Sequence, residues 1–205
     1  MLKIKVCGMV SKNNVREVAD LSPDFMGFIF YQSSPRFVGE HLELPDWNPA
    51  IRKVAVFVNE TTENILKTCD RYQIKMAQLH GDESPLFCQQ LQSGGLEIIK
   101  AFALDEQFDF QVLEPYQNAV DYFLLDAKGK YKGGNGLTFN WQLLDKYKLQ
   151  IPFFLSGGIN ADNVAAVKNL RHERLFAIDV NSGVEDQPGL KSPSKLNELV
   201  QNFKR

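Results

Sequence analysis

Eight short apolar runs, separated by longer amphipathic stretches, constrain this 205-residue chain more than any other feature. The runs are Lys3–Val6, residues 25–30, residues 53–58, Met76–Leu79, residues 98–102, residues 122–125, Phe153–Leu155 and residues 176–180. Most are near-continuous in aliphatic and aromatic residues instead of alternating with polar ones. That pattern belongs to strands covered on both faces, as in a parallel sheet. Helices are expected between them at residues 12–19, 63–72, 86–91, 140–147, 161–170 and 194–203, with a weaker candidate at 105–115. Ser11 is placed to cap the first, and Ser84-Pro85 supplies a cap and a first-turn proline for the third.

The runs recur roughly every 20–30 residues, the size of a βα unit. Eight such units use the length with little left over, so residues 1–205 are expected to form a single α/β domain. Two architectures accommodate that order: an open, doubly wound sheet and a closed (β/α)8 TIM barrel. The open sheet usually has about five to seven strands and a GxGxxG turn after the first. Here the first run leads into Cys7-Gly8-Met9, so the barrel is the expected fold.

A formal net charge of −2 gives no basic excess to draw the whole molecule onto nucleic acid or an anionic membrane. Anion binding must then be local. Cys7, Cys69 and Cys88 are odd in number and widely spaced, which suits free thiols in a reducing, cytoplasmic setting and gives no zinc pattern. Cys69 and Cys88 fall in expected helices and read as inert core thiols. No signal-peptide pattern and no membrane-length apolar run is visible.

In a barrel, chemistry gathers where strands run out into their C-terminal loops. That rule selects Cys7, Arg36, Gln78, His80, Asp126, Gly157, Gly158, Asp179, Asn181, Ser182 and Gly183. Cys7 can serve there as nucleophile, base or packing residue. Asp126 directly follows an apolar strand, where its surroundings would raise its pKa and let it donate a proton. Ser156-Gly157-Gly158 and Asn181-Ser182-Gly183 follow the last two strands, where glycine turns and a helix N-terminus often hold a phosphate. The guanidinium of Arg36, in Ser34-Pro35-Arg36, can grip a carboxylate or phosphate. His80 has no second histidine nearby to form a metal site. The run Gly133-Gly134-Asn135-Gly136 reads as a lid or as a surface loop.

Taken in order, these segments resemble the phosphoribosylanthranilate isomerases of tryptophan biosynthesis. Lys5-Val6-Cys7-Gly8-Met9 is similar to the family's opening Lys-(Ile/Val)-Cys-Gly segment, and Ser34-Pro35-Arg36 to its arginine segment. Residues 54–59, Gln78-Leu79-His80-Gly81, Leu124-Leu125-Asp126, the stretch 156–164, the stretch 179–185 and Pro188-Gly189-Leu190-Lys191 follow in register. Asn181-Ser182 stands where the family often has two serines, and Asn140-Trp141 where it often has aspartate before the tryptophan.

The resemblance implies a barrel of the ribulose-phosphate-binding type and an Amadori rearrangement of N-(5-phosphoribosyl)anthranilate. By similarity, Asp126 is the general acid that opens the ring and Cys7 the general base that removes the C2 proton. A thiolate with a lowered pKa would suit that step. Arg36 would hold the anthranilate carboxylate and the two glycine loops the phosphate, with Gln78, His80 and Asp179 completing the substrate site. No metal or organic cofactor is implied; the partner is a small phosphorylated molecule, and the assembly a monomer or homodimer. Rival readings are another phosphate-binding barrel, such as the histidine-pathway isomerase with two aspartates, and a non-catalytic phosphometabolite-binding module.

Overall fold

The computed structural model describes residues 2–127 and 141–204. Eight parallel strands close into a barrel in sequence order. They are β1 (Lys3–Val6), β2 (Phe25–Ile29), β3 (Arg52–Phe57), β4 (Met76–Leu79), β5 (Glu97–Leu104), β6 (Tyr122–Ala127), β7 (Phe153–Leu155) and β8 (Leu175–Val180). The ring closes where Lys3–Val6 of β1 lies in register with Ala177–Val180 of β8. The β7–β8 register slips by a residue beside Phe153 and Phe154, which lets Phe176 join the interior rings.

Among the described residues, five α-helices cover the outside: α1 (Lys12–Asp20), α2 (Thr62–Arg71), α3 (Pro85–Ser93), α4 (Val164–Lys168) and α5 (Pro193–Lys204). Thr61 and Ser84 cap α2 and α3 by accepting hydrogen bonds from the amides of Asn64 and Phe87. The weaker candidate helix at 105–115 is instead a 3-10 turn, Phe110–Tyr116, with Pro115 inside it. Proline removes an amide donor and crowds the preceding turn, which disfavours a full α-helix. The element expected at 140–147 is likewise a 3-10 turn, Trp141–Lys146. After β8, a 3-10 turn at Ser182–Val184 leads into a small antiparallel hairpin, β9 (Glu185–Gln187) and β10 (Leu190–Lys191). That hairpin was not expected from the sequence.

Side chains along each strand alternate between two apolar environments. Ile4, Val6, Phe123 and Leu125 face the helices and join the large outer core. Phe25, Val54, Met76, Ile99, Leu124 and Phe154 form a second cluster inside the barrel. Phe25, Tyr122, Phe154 and Phe176 meet there as edge-on or tilted rings, and Lys3 Nζ sits 4.6 Å from the Phe176 centroid. This floor fills the N-terminal end of the ring, so a ligand can enter only from the other end. Among the described residues, no helix is long and apolar enough to cross a membrane.

Candidate active site

Two residues further along the same strands, the interior turns polar. A cavity of about 540 Å³ opens at the C-terminal mouth of the barrel. Cys7 and Asp126 line it from the ends of β1 and β6. Gln78 and His80 line it from β4, Arg36 from the loop after β2, and Asp179 from β8. Gly157 and Gly158 follow β7, and Asn181, Ser182 and Gly183 follow β8, on the same wall. The mouth therefore brings together all the residues selected from the sequence. The run Gly133-Gly134-Asn135-Gly136, read as a lid or as a surface loop, lies outside the described residues.

Space for the Cys7 sulfur is made by Gly27 on β2: a β-carbon there would sit 2.7 Å from Cys7 Sγ. No substituent fits at that distance without displacing the thiol. Cys7 is 4% exposed. Its pKa was expected to be lowered, and the structure corrects this. Burial pushes the thiol above its ordinary 9.0, while Lys5 and Lys191 hold the rise in check. Moving a thiolate out of water costs more than the two ammonium groups return.

Beneath the thiol lies a buried charge network that motif reading missed. Lys5 is fully buried, and its Nζ donates to Asp179 Oδ2 at 2.9 Å and to Gln78 Oε1 at 2.8 Å. Burial opposes the Lys5 ammonium, but its pKa stays above 10.5, chiefly through Asp179. The other Asp179 oxygen, Oδ1, is buried with no hydrogen-bond partner among the described residues. Gln78 Nε2 lies 3.0 Å from His80 Nδ1, and His80 Nε2 lies 3.7 Å from Asp126 Oδ2.

A second network fixes Arg36. Its Nε and Nη2 donate to the two oxygens of Glu185 at 2.9 and 2.7 Å, a forked pair. Lys191 Nζ also donates to Glu185 and to Asn181 Oδ1, at 2.5 and 2.6 Å. Burial draws the Lys191 pKa down to about 8 despite Glu185. Glu185 and Lys191 both come from the hairpin after β8, so β9 and β10 set the plane of a guanidinium that arrives from β2.

The anion site differs in one respect from expectation. The helix expected from residue 161 begins only at Val164 and runs five residues, because Asn160 and Asn163 bind the intervening backbone. Asn163 Oδ1 accepts from Asn160 N at 2.9 Å, and Asn163 Nδ2 donates to Gly158 O at 2.8 Å. An anion beside Gly157 and Gly158 would therefore be met by loop amides, not by a long helix dipole. Both glycines have positive φ, 103° and 62°, the conformation that turns successive amides into one concavity.

A family model described as N-(5'-phosphoribosyl)anthranilate (PRA) isomerase matches residues 4–202. The chain belongs to this family. A relative named N-(5'-phosphoribosyl)anthranilate isomerase, from Parabacteroides distasonis, is 44% identical over 204 residues, covering 98% of this chain and 92% of the relative. The crystal structure of phosphoribosyl anthranilate isomerase from Thermotoga maritima superposes with a TM-score of 0.85 at 31% identity, covering 100% of this chain and 99% of that one. Another solved member of the family, in complex with reduced 1-(o-carboxyphenylamino)-1-deoxyribulose 5-phosphate, gives 0.82 at 30% identity, with 100% and 99% covered.

Proposed function

We propose that residues 1–205 are one catalytic domain that converts N-(5-phosphoribosyl)anthranilate to 1-(2-carboxyphenylamino)-1-deoxyribulose 5-phosphate, a step of tryptophan biosynthesis. The observation that carries the reading is the shared cavity. One thiol and one carboxylic acid line it together with two glycine turns suited to a phosphoryl group. A histidine-pathway barrel would be expected to present a second aspartate where Cys7 stands.

Asp126 gives its proton to the furanose ring oxygen as the C1–O bond breaks, leaving an iminium between C1 and the anthranilate nitrogen. Cys7, once it has lost its own proton to solvent, removes the C2 proton as the thiolate, and the C2–H electron pair flows to the iminium to give an enolamine that tautomerises to the ketone. The free protein protects its thiol by burial. The iminium changes that balance, since a new positive charge beside the sulfur favours thiolate. It also acidifies the C2 proton, so the reaction asks for no metal or organic cofactor.

The remaining residues fit binding roles. Arg36, held by Glu185, meets the anthranilate carboxylate through the guanidinium nitrogen outside that pair, Nη1. Asp179 Oδ1, buried without a partner among the described residues, accepts a hydrogen bond from a sugar hydroxyl. Amides of Gly157, Gly158, Ser182 and Gly183 take the phosphate, Asn181 orients that turn, and Gln78 and His80 complete the mouth. Three free thiols suit a reducing cytoplasm, and the assembly is a monomer or homodimer with no nucleic-acid or membrane partner. Addition of the protein to N-(5-phosphoribosyl)anthranilate should make the substrate fluorescence fall catalytically. Binding without turnover would overturn the enzymatic reading in favour of a binding module.

A further inference from the structure

Gln78 has one polar end on a lysine and the other on a histidine, and the chemistry of those neighbours leaves its amide a single orientation. Lys5 Nζ is a donor with no acceptor while it is charged, so the Gln78 atom 2.8 Å away must be oxygen. Burial opposes that charge, but Asp179, 2.9 Å away, counters it, and the Lys5 pKa stays above its ordinary value. The other end of the amide, 3.0 Å from His80 Nδ1, is then the NH2 group, which only donates. Nδ1 must accept, so it carries no proton. We propose that Gln78 is a positioning residue that holds His80 as the neutral Nε2–H tautomer, with that N–H directed at Asp126 Oδ2.

The histidine is fixed from its backbone as well. His80 N donates to Phe57 O at 2.8 Å. Lys100 Nζ donates to the flanking carbonyls of Leu79 and Gly81 at 3.3 and 2.9 Å. The ring reaches Asp126 at 3.7 Å, just beyond a direct hydrogen bond, a gap of the kind that tightens when substrate arrives. Among the described residues, the charged and titratable groups around it include Asp126 from β6, Lys100 and Glu83 behind the β4 loop, and Lys5, Cys7 and Asp179 beyond Gln78.

This arrangement suits an acid that must start protonated. An imidazolium at that position would hold Asp126 ionised before the reaction. A neutral N–H stabilises the carboxylate that remains afterwards without adding a charge beforehand. It also selects the oxygen: with Oδ2 accepting from His80, the proton to be transferred sits on Oδ1. The inference rests on Asp126 being the acid of the proposed reaction.

The test is the tautomer itself, read by long-range 1H–15N correlation on 15N-histidine-labelled protein near neutral pH, with the His80 signals assigned by their loss in His80→Asn. The expected spectrum has a protonated Nε2 and a bare Nδ1. In Gln78→Glu, a carboxylate facing Nδ1 should draw a proton onto that nitrogen. Turnover should fall roughly 10–10²-fold, less than the 10⁴ lost when a wrong tautomer disables a catalytic histidine directly. Should Gln78→Glu fail to fold, Gln78→Met removes the donor and should yield mixed tautomers. A protonated Nδ1 in the wild type, or a tautomer indifferent to both substitutions, overturns the inference. Full turnover in Asp126→Asn would instead reject the acid assignment while leaving the tautomer result standing.

Discussion

At the floor of the barrel, Phe25, Tyr122, Phe154 and Phe176 lie with ring centroids 4.7–6.1 Å apart. At the mouth, two to four residues later on the same strands, stand Gly27, Asp126, Ser156 and Asp179. One end is filled by rings, with Phe25 and Phe154 fully buried. The other holds buried ions, each with a partner of opposite charge or a hydrogen-bonding group, around an open cavity. A two-residue step along a parallel strand keeps a side chain on the same face while moving it about 7 Å up the axis. One strand can therefore anchor the core with one residue and present chemistry with the next. A residue's height in the barrel decides whether its loss is felt in stability or in turnover.

Substitutions at the two levels should separate cleanly. Asp126→Asn and Cys7→Ser should each lower kcat roughly 10²–10⁴-fold, the usual span for a positioned acid or base, with melting temperatures within a few degrees of wild type. Stopped assays and thermal scans on the same samples check this, and near-normal turnover in both variants would break the division. Phe154→Ala should do the reverse. It removes a fully buried ring at a cost of about 3–5 kcal/mol, with kcat and KM of the folded protein close to wild type. Denaturant melts decide it.

Gly27→Ala lies on the border between the levels. The added methyl meets Cys7 Sγ, so a kcat loss of roughly 10–10²-fold from a displaced base is expected, with a smaller loss of stability. If only stability fell, the position of the sulfur would matter less than argued. The smallest effect concerns Cys7 in the free protein. A raised pKa shifts thiolate formation to higher pH, so its iodoacetamide alkylation rate, followed by mass spectrometry, should still be climbing at pH 9. A half-maximal rate at or below pH 9.0, the ordinary value of a thiol, would contradict the burial argument.

The floor and the mouth were also unequally legible in the sequence. Lys3–Val6, Met76–Leu79 and Phe153–Leu155 have the bounds expected of them, because apolar runs bounded by polar residues announce buried strands. Cys7, Asp126 and the glycine turns could be located because strand ends are visible once strands are. The outer layer was harder. Pro115 and the asparagines at 160 and 163 decide local geometry by competing with helical hydrogen bonds, which periodicity does not register. Glu185 and Lys191 escaped notice as site residues because their importance lies in Arg36, 149 residues from Glu185. Lys5 left a trace: it sits between Ile4 and Val6, so period two puts it on the face of Cys7. Its value depends on Asp179, 174 residues away, and no local pattern carries that.

The pairing of Lys5 with Asp179 joins the first strand of the ring to the eighth. A ring stopped at seven strands would enclose an ammonium group with no counter-ion, a state costly enough to keep the unfinished barrel open to water. The last strand thus delivers the charge that permits closure together with the carboxylate oxygen offered to the sugar. Fragments spanning the first half of the barrel should therefore be silent on their own, and should regain turnover only when a complementary piece brings β8 back beside β1.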